Sequence, residues 1–89
     1  MNHIFNGAFI EICEKIISED KSEQEWSEIE SSDMFHVGKY VGGFDSIEME
    51  FTFSVYENEV EYWFQISLED IKKVVSGQIK EIEISEADY

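Results

Sequence analysis

The 89-residue chain has no proline, no arginine, one cysteine and two histidines. Without arginine, six lysines face 21 aspartates and glutamates, giving a net charge of −15 and a pI near 4.2. A surface this negative repels phosphate instead of releasing its counterions. That argues against both the usual nucleic-acid-binding footprint and docking on anionic lipid. A lone Cys13 cannot make an internal disulfide, so nothing suggests an oxidising compartment. The longest apolar stretch starts at Ile4 and is broken by Glu11, Glu14 and Lys15. No run approaches the ~20 residues that a membrane-spanning helix needs. No Lys or Arg precedes the first apolar residues and no small-residue cleavage site follows, so a cytoplasmic protein without a secretory signal is the expectation.

Chemistry-bearing motifs are missing as well. One Cys and two His fall short of the four ligands a structural zinc site normally uses, and there is no D-x-D-x-D-G calcium loop. GxSxG is absent, and Gly42-Gly43 lacks the GK[ST] or GxGxxG context of a phosphate loop. Nucleophilic catalysis needs a nucleophile, a base and an orienting group; the bases on offer are His3, near a chain end, and His36, in or beside a strand, where a histidine is more often a surface or half-buried residue than a catalyst. Two-carboxylate catalysis is uninformative here, because among 21 carboxylates some pair always lies close. The expectation is a protein with no cofactor, no metal and no enzymatic activity.

What is present is enough apolar material for a core, 43% of the chain with 15% aromatic, in a length that suits a single domain over residues 1–89. Ile4, Phe5, Ala8, Phe9, Ile12, Cys13, Ile16 and Ile17 recur in pairs four apart, predicting an amphipathic helix with Asn2 as N-cap. Cys13 sits mid-stripe, as a small packed residue. From Glu19 to Asp33 seven acids face the single Lys21. Ser22 and Glu25 form a capping-box pattern there, followed by Trp26 and Ile29, so a short helix or an irregular acidic loop is expected.

The middle alternates. Ile47, Met49, Phe51, Phe53 and Val55 share one face, and Val60, Tyr62, Phe64 and Ile66 repeat the pattern, predicting an antiparallel hairpin. A common inward face pairs Val55 with Val60, Phe53 with Tyr62, Phe51 with Phe64 and Met49 with Ile66. An earlier strand, about residues 35–41, is expected to join through a Gly42-Gly43 turn, with Lys39 interrupting its apolar set. Ser67 with Asp70 gives a second capping box, which opens a third helix carrying Leu68, Ile71, Val74 and Val75, with Gly77 at C′. Ile79, Ile82 and Ile84 suggest a last strand before the acidic tail from Glu86 to Tyr89. The order α-(α)-β-β-β-α-β is that of an α+β fold.

If Phe51 and Phe64 point inward, the other hairpin face carries Glu48, Glu50, Thr52, Ser54, Glu61, Trp63 and Gln65, with Tyr56 and Glu59 beside them. An indole among carboxylates suits a cationic partner, with charge-assisted hydrogen bonds from the acids and a packed cation-π anchor from Trp63. The competing reading buries Trp63 under a helix and leaves the glutamates as an ordinary solvated face. Glu25 and Glu28, in the acidic second segment, are further candidates for partner contact. A charge of −15 exceeds the magnitude of about 2–8 that solubility asks of a small domain. In size, acidity and its outward Glu48, Glu50, Glu61 and Trp63 cluster, the chain resembles bacterial immunity proteins that neutralise nuclease toxins. The resemblance implies a cytoplasmic inhibitor that meets a basic nuclease-type toxin by direct contact, and it carries over no individual residue roles. A nucleic-acid mimic that occupies a DNA- or RNA-binding groove is the alternative, and an acidic subunit of a larger assembly a more distant one.

Overall fold

In the computed structural model, which describes residues 1–29 and 35–87, the first helix starts at Asn6 and not at Asn2. The Asn6 backbone is extended, and its Oδ1 accepts the N–H groups of Ala8 at 3.0 Å and Phe9 at 3.2 Å. Helix α1 then runs Gly7–Ser18, with Phe9, Ile12, Cys13 and Ile16 buried. Residues Asn2–Ile4, expected in that helix, instead form strand β1. The three-and-four spacing of Ile4 and Phe5 with the later residues belongs to two different elements: a two-residue alternation buries His3 and leaves Ile4 72% exposed.

The capping box at Ser22 forms as the pattern suggests. Ser22 Oγ accepts from the Glu25 N–H, and Glu25 Oε1 accepts from the Ser22 N–H, both at 3.2 Å. It opens the one-turn helix α2 (Glu23–Ser27), whose Trp26 is buried against Phe51 and Phe35. The rest of the acidic run, residues 30–34, lies outside the described residues, as do residues 88–89 of the tail.

Strand β2 (Phe35–Val37) turns through Gly38-Lys39 into β3 (Tyr40–Asp45). Gly42-Gly43 is therefore not a turn but the middle of a strand. Gly42 faces Phe53, and a Cβ there would lie 2.1 Å from the Thr52 carbonyl oxygen, so only glycine fits. Strand β4 spans Glu50–Glu57. Ile47 and Met49, expected in it, sit in the preceding turn: Asp45 Oδ1 accepts the Ile47 N–H at 2.9 Å, Met49 has φ 58°, and Ile47 is 88% exposed.

Strand β5 (Val60–Ile66) pairs with β4 in a register two residues from the expected one. Phe53 faces Phe64, Phe51 faces Ile66 and Val55 faces Tyr62. The turn decides this. Asn58 (φ 51°) and Glu59 (φ 68°) form a two-residue loop with both residues left-handed, the geometry that matches strand twist. A four-residue loop would have been needed for Val55 to meet Val60. Because the difference is even, the side chains of β4 and β5 themselves keep their expected faces.

Helix α3 (Leu68–Val75) is capped by Ser67 Oγ, which accepts the Asp70 N–H, but the expected box is only half made, since the shorter Asp70 carboxylate does not return a bond to the Ser67 N–H; the helix ends with Gly77 at φ 84°. There the Gln78 N–H bonds to the Lys73 carbonyl and the Gly77 N–H to the Val74 carbonyl, a Schellman closure. The final extended segment divides. β6 (Glu81–Glu83) pairs with β1 as a two-stranded sheet, and β7 (Ser85–Glu86) joins the edge of the main sheet, in the order β2-β3-β4-β5-β7. All pairings are antiparallel. The core lies between the inward rings of the main sheet and the helices: Phe9 meets Tyr40, Phe53 and Phe64 with centroids 5.1–5.4 Å apart. No described helix is long and apolar enough to cross a membrane.

Candidate functional site

Since the helices pack on the inward rings, the opposite face of the five-stranded sheet is left open. Its strand register sets the composition. One row across the sheet reads His36, Val41, Ser54, Trp63 and Ser85; the next reads Gly43, Thr52 and Gln65. Trp63 is 40% exposed, so the indole lies on the surface and not under a helix. The shifted register puts it opposite Ser54 instead of Thr52, and it puts Tyr56, 52% exposed, opposite Glu61. The Tyr56 hydroxyl donates to Glu61 Oε1 at 3.2 Å, and that bond to a carboxylate, with its charge, holds the phenol above its usual pKa.

The middle of this face is neutral and its acids stand at the ends. Asp45 pairs with Glu50 at one end, with Glu48 in the adjoining turn. Glu61 stands at the other, with Glu59 in the β4–β5 turn. At the rise of an antiparallel strand the two ends are roughly 20 Å apart. Glu50, Tyr56, Glu61 and Trp63 are thus brought onto one surface, with Glu48 and Glu59 at its margins. Glu25 and Glu28 are not: α2 packs through Trp26 on the inward side, Glu25 is engaged in the capping box, and Glu28 Oε1 accepts from Gln24 at 3.3 Å.

A second polar cluster escaped the sequence reading. His3, 5% exposed, is held between Tyr40 and Glu57: its Nδ1 lies 3.0 Å from Glu57 Oε1, and its Nε2 meets the Tyr40 hydroxyl. Lys39 Nζ donates to the same Glu57 oxygen at 2.5 Å. Burial lowers the His3 pKa below 6.5, against the pull of Glu57, and raises that of Tyr40 to about 12. The Lys39 hydrogen bond holds the Glu57 carboxyl below its usual range. Carboxylate, imidazole and hydroxyl stand in the order of a proton relay, but the hydroxyl is fully buried and out of reach of a substrate. The cluster ties β1 to the end of the β3–β4 pair. One signal was in the sequence: Glu57 continues the inward parity of Phe51, Phe53 and Val55, so it had to turn coreward near a cation.

Among the described residues, no three His, Cys, Asp or Glu gather as a metal site. An apolar groove of about 300 Å³ between β1, α1 and α3 is lined by Ile4, Phe5, Ile10, Val74 and Ile79, with Lys80 as its one titratable group. It offers no acid–base pair. No protein-family model, curated protein or solved structure shows significant similarity to the chain.

Proposed function

We propose that this protein is a cytoplasmic inhibitor of the immunity type, which holds a basic nuclease-class toxin against the open face of its main sheet. The observation that carries the reading is the uncovered face itself. It presents an exposed indole and phenol between two acidic ends, in a chain of net charge −15. An uncovered aromatic surface is where a partner gains packed contact area. The surrounding field raises the association rate with a cationic partner toward ~10⁸–10⁹ M⁻¹s⁻¹ at low salt. A nuclease supplies that charge, because its cleft is built to hold phosphate. Inhibition works by occupancy, so it requires no turnover by this chain. A nucleic-acid mimic would need carboxylates in continuous rows, and the neutral band through Ser54, Thr52, Gln65 and Trp63 suits that reading less well.

The test is capture on the immobilised protein from lysate of the native cell, washed at ~0.15 M and then ~1 M salt. The retained protein is then assayed for nuclease activity with and without this chain. A retained basic nuclease that the chain silences supports the reading. Glu50→Lys with Glu61→Lys should slow association and flatten its salt dependence, and Trp63→Ala should mainly speed dissociation. Retention of several nucleic-acid-binding proteins, all lost together at high salt, would favour the mimic and overturn the inhibitor.

A further inference from the structure

The pairing of β4 with β5 places three chemically complementary side chains on adjacent positions of the open face. Tyr56 is directly opposite Glu61, and Trp63 is two residues along the same strand, on the same face. The phenol hydroxyl donates to Glu61 Oε1 at 3.2 Å. Among the described residues, Oε2 accepts no hydrogen bond. Both rings are exposed, Tyr56 by 52% and Trp63 by 40%, and Glu61 stands half-buried between strand neighbours.

Among the described residues no cation pairs with this carboxylate. Lys39, whose carbonyl accepts the Tyr56 N–H, sends its own side chain to Glu57 on the opposite face of the sheet. Across the row from Trp63 stand Ser54 and Ser85, and beyond them Val41 and His36, so among the described residues this row holds no carboxylate. A cation drawn in by the overall field is therefore held at one place along this row.

We propose that Tyr56, Glu61 and Trp63 form a socket for a single arginine side chain of the partner. This rests on the reading of the open face as the binding surface. A guanidinium is planar and weakly hydrated, and it presents parallel N–H donors. It lays its face on the Trp63 indole while donating to Glu61, two contacts that one flat cation makes at once. A lysine ammonium supplies the charge without the plane, so the socket discriminates between the two.

The test is titration of the ¹⁵N-labelled protein with N-acetylarginine amide and, separately, N-acetyllysine amide at matched ionic strength. The Trp63 indole N–H reports the site, and the buried Trp26 indole serves as internal control. The expected result is saturable arginine-dependent shifts at Trp63 and Glu61, with weaker lysine binding. Glu61→Gln should weaken arginine binding about tenfold, as removal of a charge-assisted hydrogen bond does. Tyr56→Phe should bind more tightly than wild type, because it frees Oε1 for a two-pronged contact. General acidic attraction would leave its binding unchanged, since the net charge is the same. Equal arginine and lysine shifts spread over all the surface acids, or a Glu61→Gln protein that binds unchanged, would overturn the socket. The two proposals fail separately. A socket that works in a protein capturing no nuclease removes the inhibitor and leaves the socket. A nuclease held equally well by wild type, Glu61→Gln and Trp63→Ala removes the socket and leaves the inhibitor.

Discussion

Replacing His3 by phenylalanine isolates the one buried polar side chain that ties strands together among the described residues. Neutral His3 satisfies both neighbours, its Nδ1–H donating to Glu57 and its Nε2 accepting from the Tyr40 hydroxyl. In His3→Phe the ring volume is nearly kept, but a fully buried hydroxyl loses its partner, at a cost of about 1–3 kcal/mol. In a domain of this size about 1 kcal/mol moves Tm by roughly 4–8 °C, so a fall of about 4–24 °C is expected. Removing the hydroxyl as well, in His3→Phe with Tyr40→Phe, should recover most of that loss, since apolar replacement of both partners is nearly neutral. The pH dependence carries an independent sign. The folded pKa of His3 lies below its ordinary 6.5, so below 6.5 the unfolded chain binds a proton that the folded one refuses. Stability due to His3 is therefore complete above 6.5 and lost as pH falls through the folded pKa. Protonation also turns Nε2 into a donor, forcing the Tyr40 hydroxyl proton to point into the core. Glu57 acts in the same direction in a lower window, because its depressed carboxyl contributes stability above 4.5 that disappears below it. Chemical denaturation of wild type and His3→Phe across this range should show the variant with a shallower slope between 4.5 and 6.5. A single mutant as stable as wild type, or one with the same slope, would refute the reasoning.

Three further outcomes follow from local geometry. Asn6→Ala should cost about 1 kcal/mol by thermal melting and Asn2→Ala almost nothing, because only Asn6 caps α1. Gly42→Ala should destabilise by about 3 kcal/mol or prevent folding, since its Cβ would meet the Thr52 carbonyl at 2.1 Å, whereas Gly7→Ala meets nothing within 4 Å and should leave Tm equal or higher. Burial raises the Cys13 pKa to about 12, so iodoacetamide near pH 8, close to the ordinary thiol value, should label it only after denaturant unfolds the chain. Rapid labelling of the native protein would show that α1 opens locally.

Much of the fold was legible wherever a pattern is enforced by one neighbouring element. The stripe of α1 from Phe9 to Ile16, the Ser22–Glu25 box, the Ser67 cap and the Gly77 closure each depend on residues within four or five positions, and each formed as read. So did the inward face of the hairpin from Phe51 to Ile66, though not its expected start at Ile47 and Met49, because a two-residue alternation survives any even register shift. The outward position of Trp63 was legible for the same reason, as were Glu50, Tyr56 and Glu61 on its face. What the sequence by itself determined is thus an acidic α+β chain and the side of the β4–β5 hairpin on which its side chains stand, since these need only local periodicity and charge count. Long-range pairing decided the rest. Asn2–Ile4 became a strand because Glu81–Glu83, nearly the whole chain away, offered it backbone partners. The two-residue turn at Asn58-Glu59 chose the register that sets Tyr56 against Glu61, and the helix packing chose which sheet face stays open. Backbone hydrogen bonds between distant strands carry no fixed spacing along the chain, so only the tertiary structure could gather Tyr56, Glu61 and Trp63 into one surface and bury His3 beneath the other.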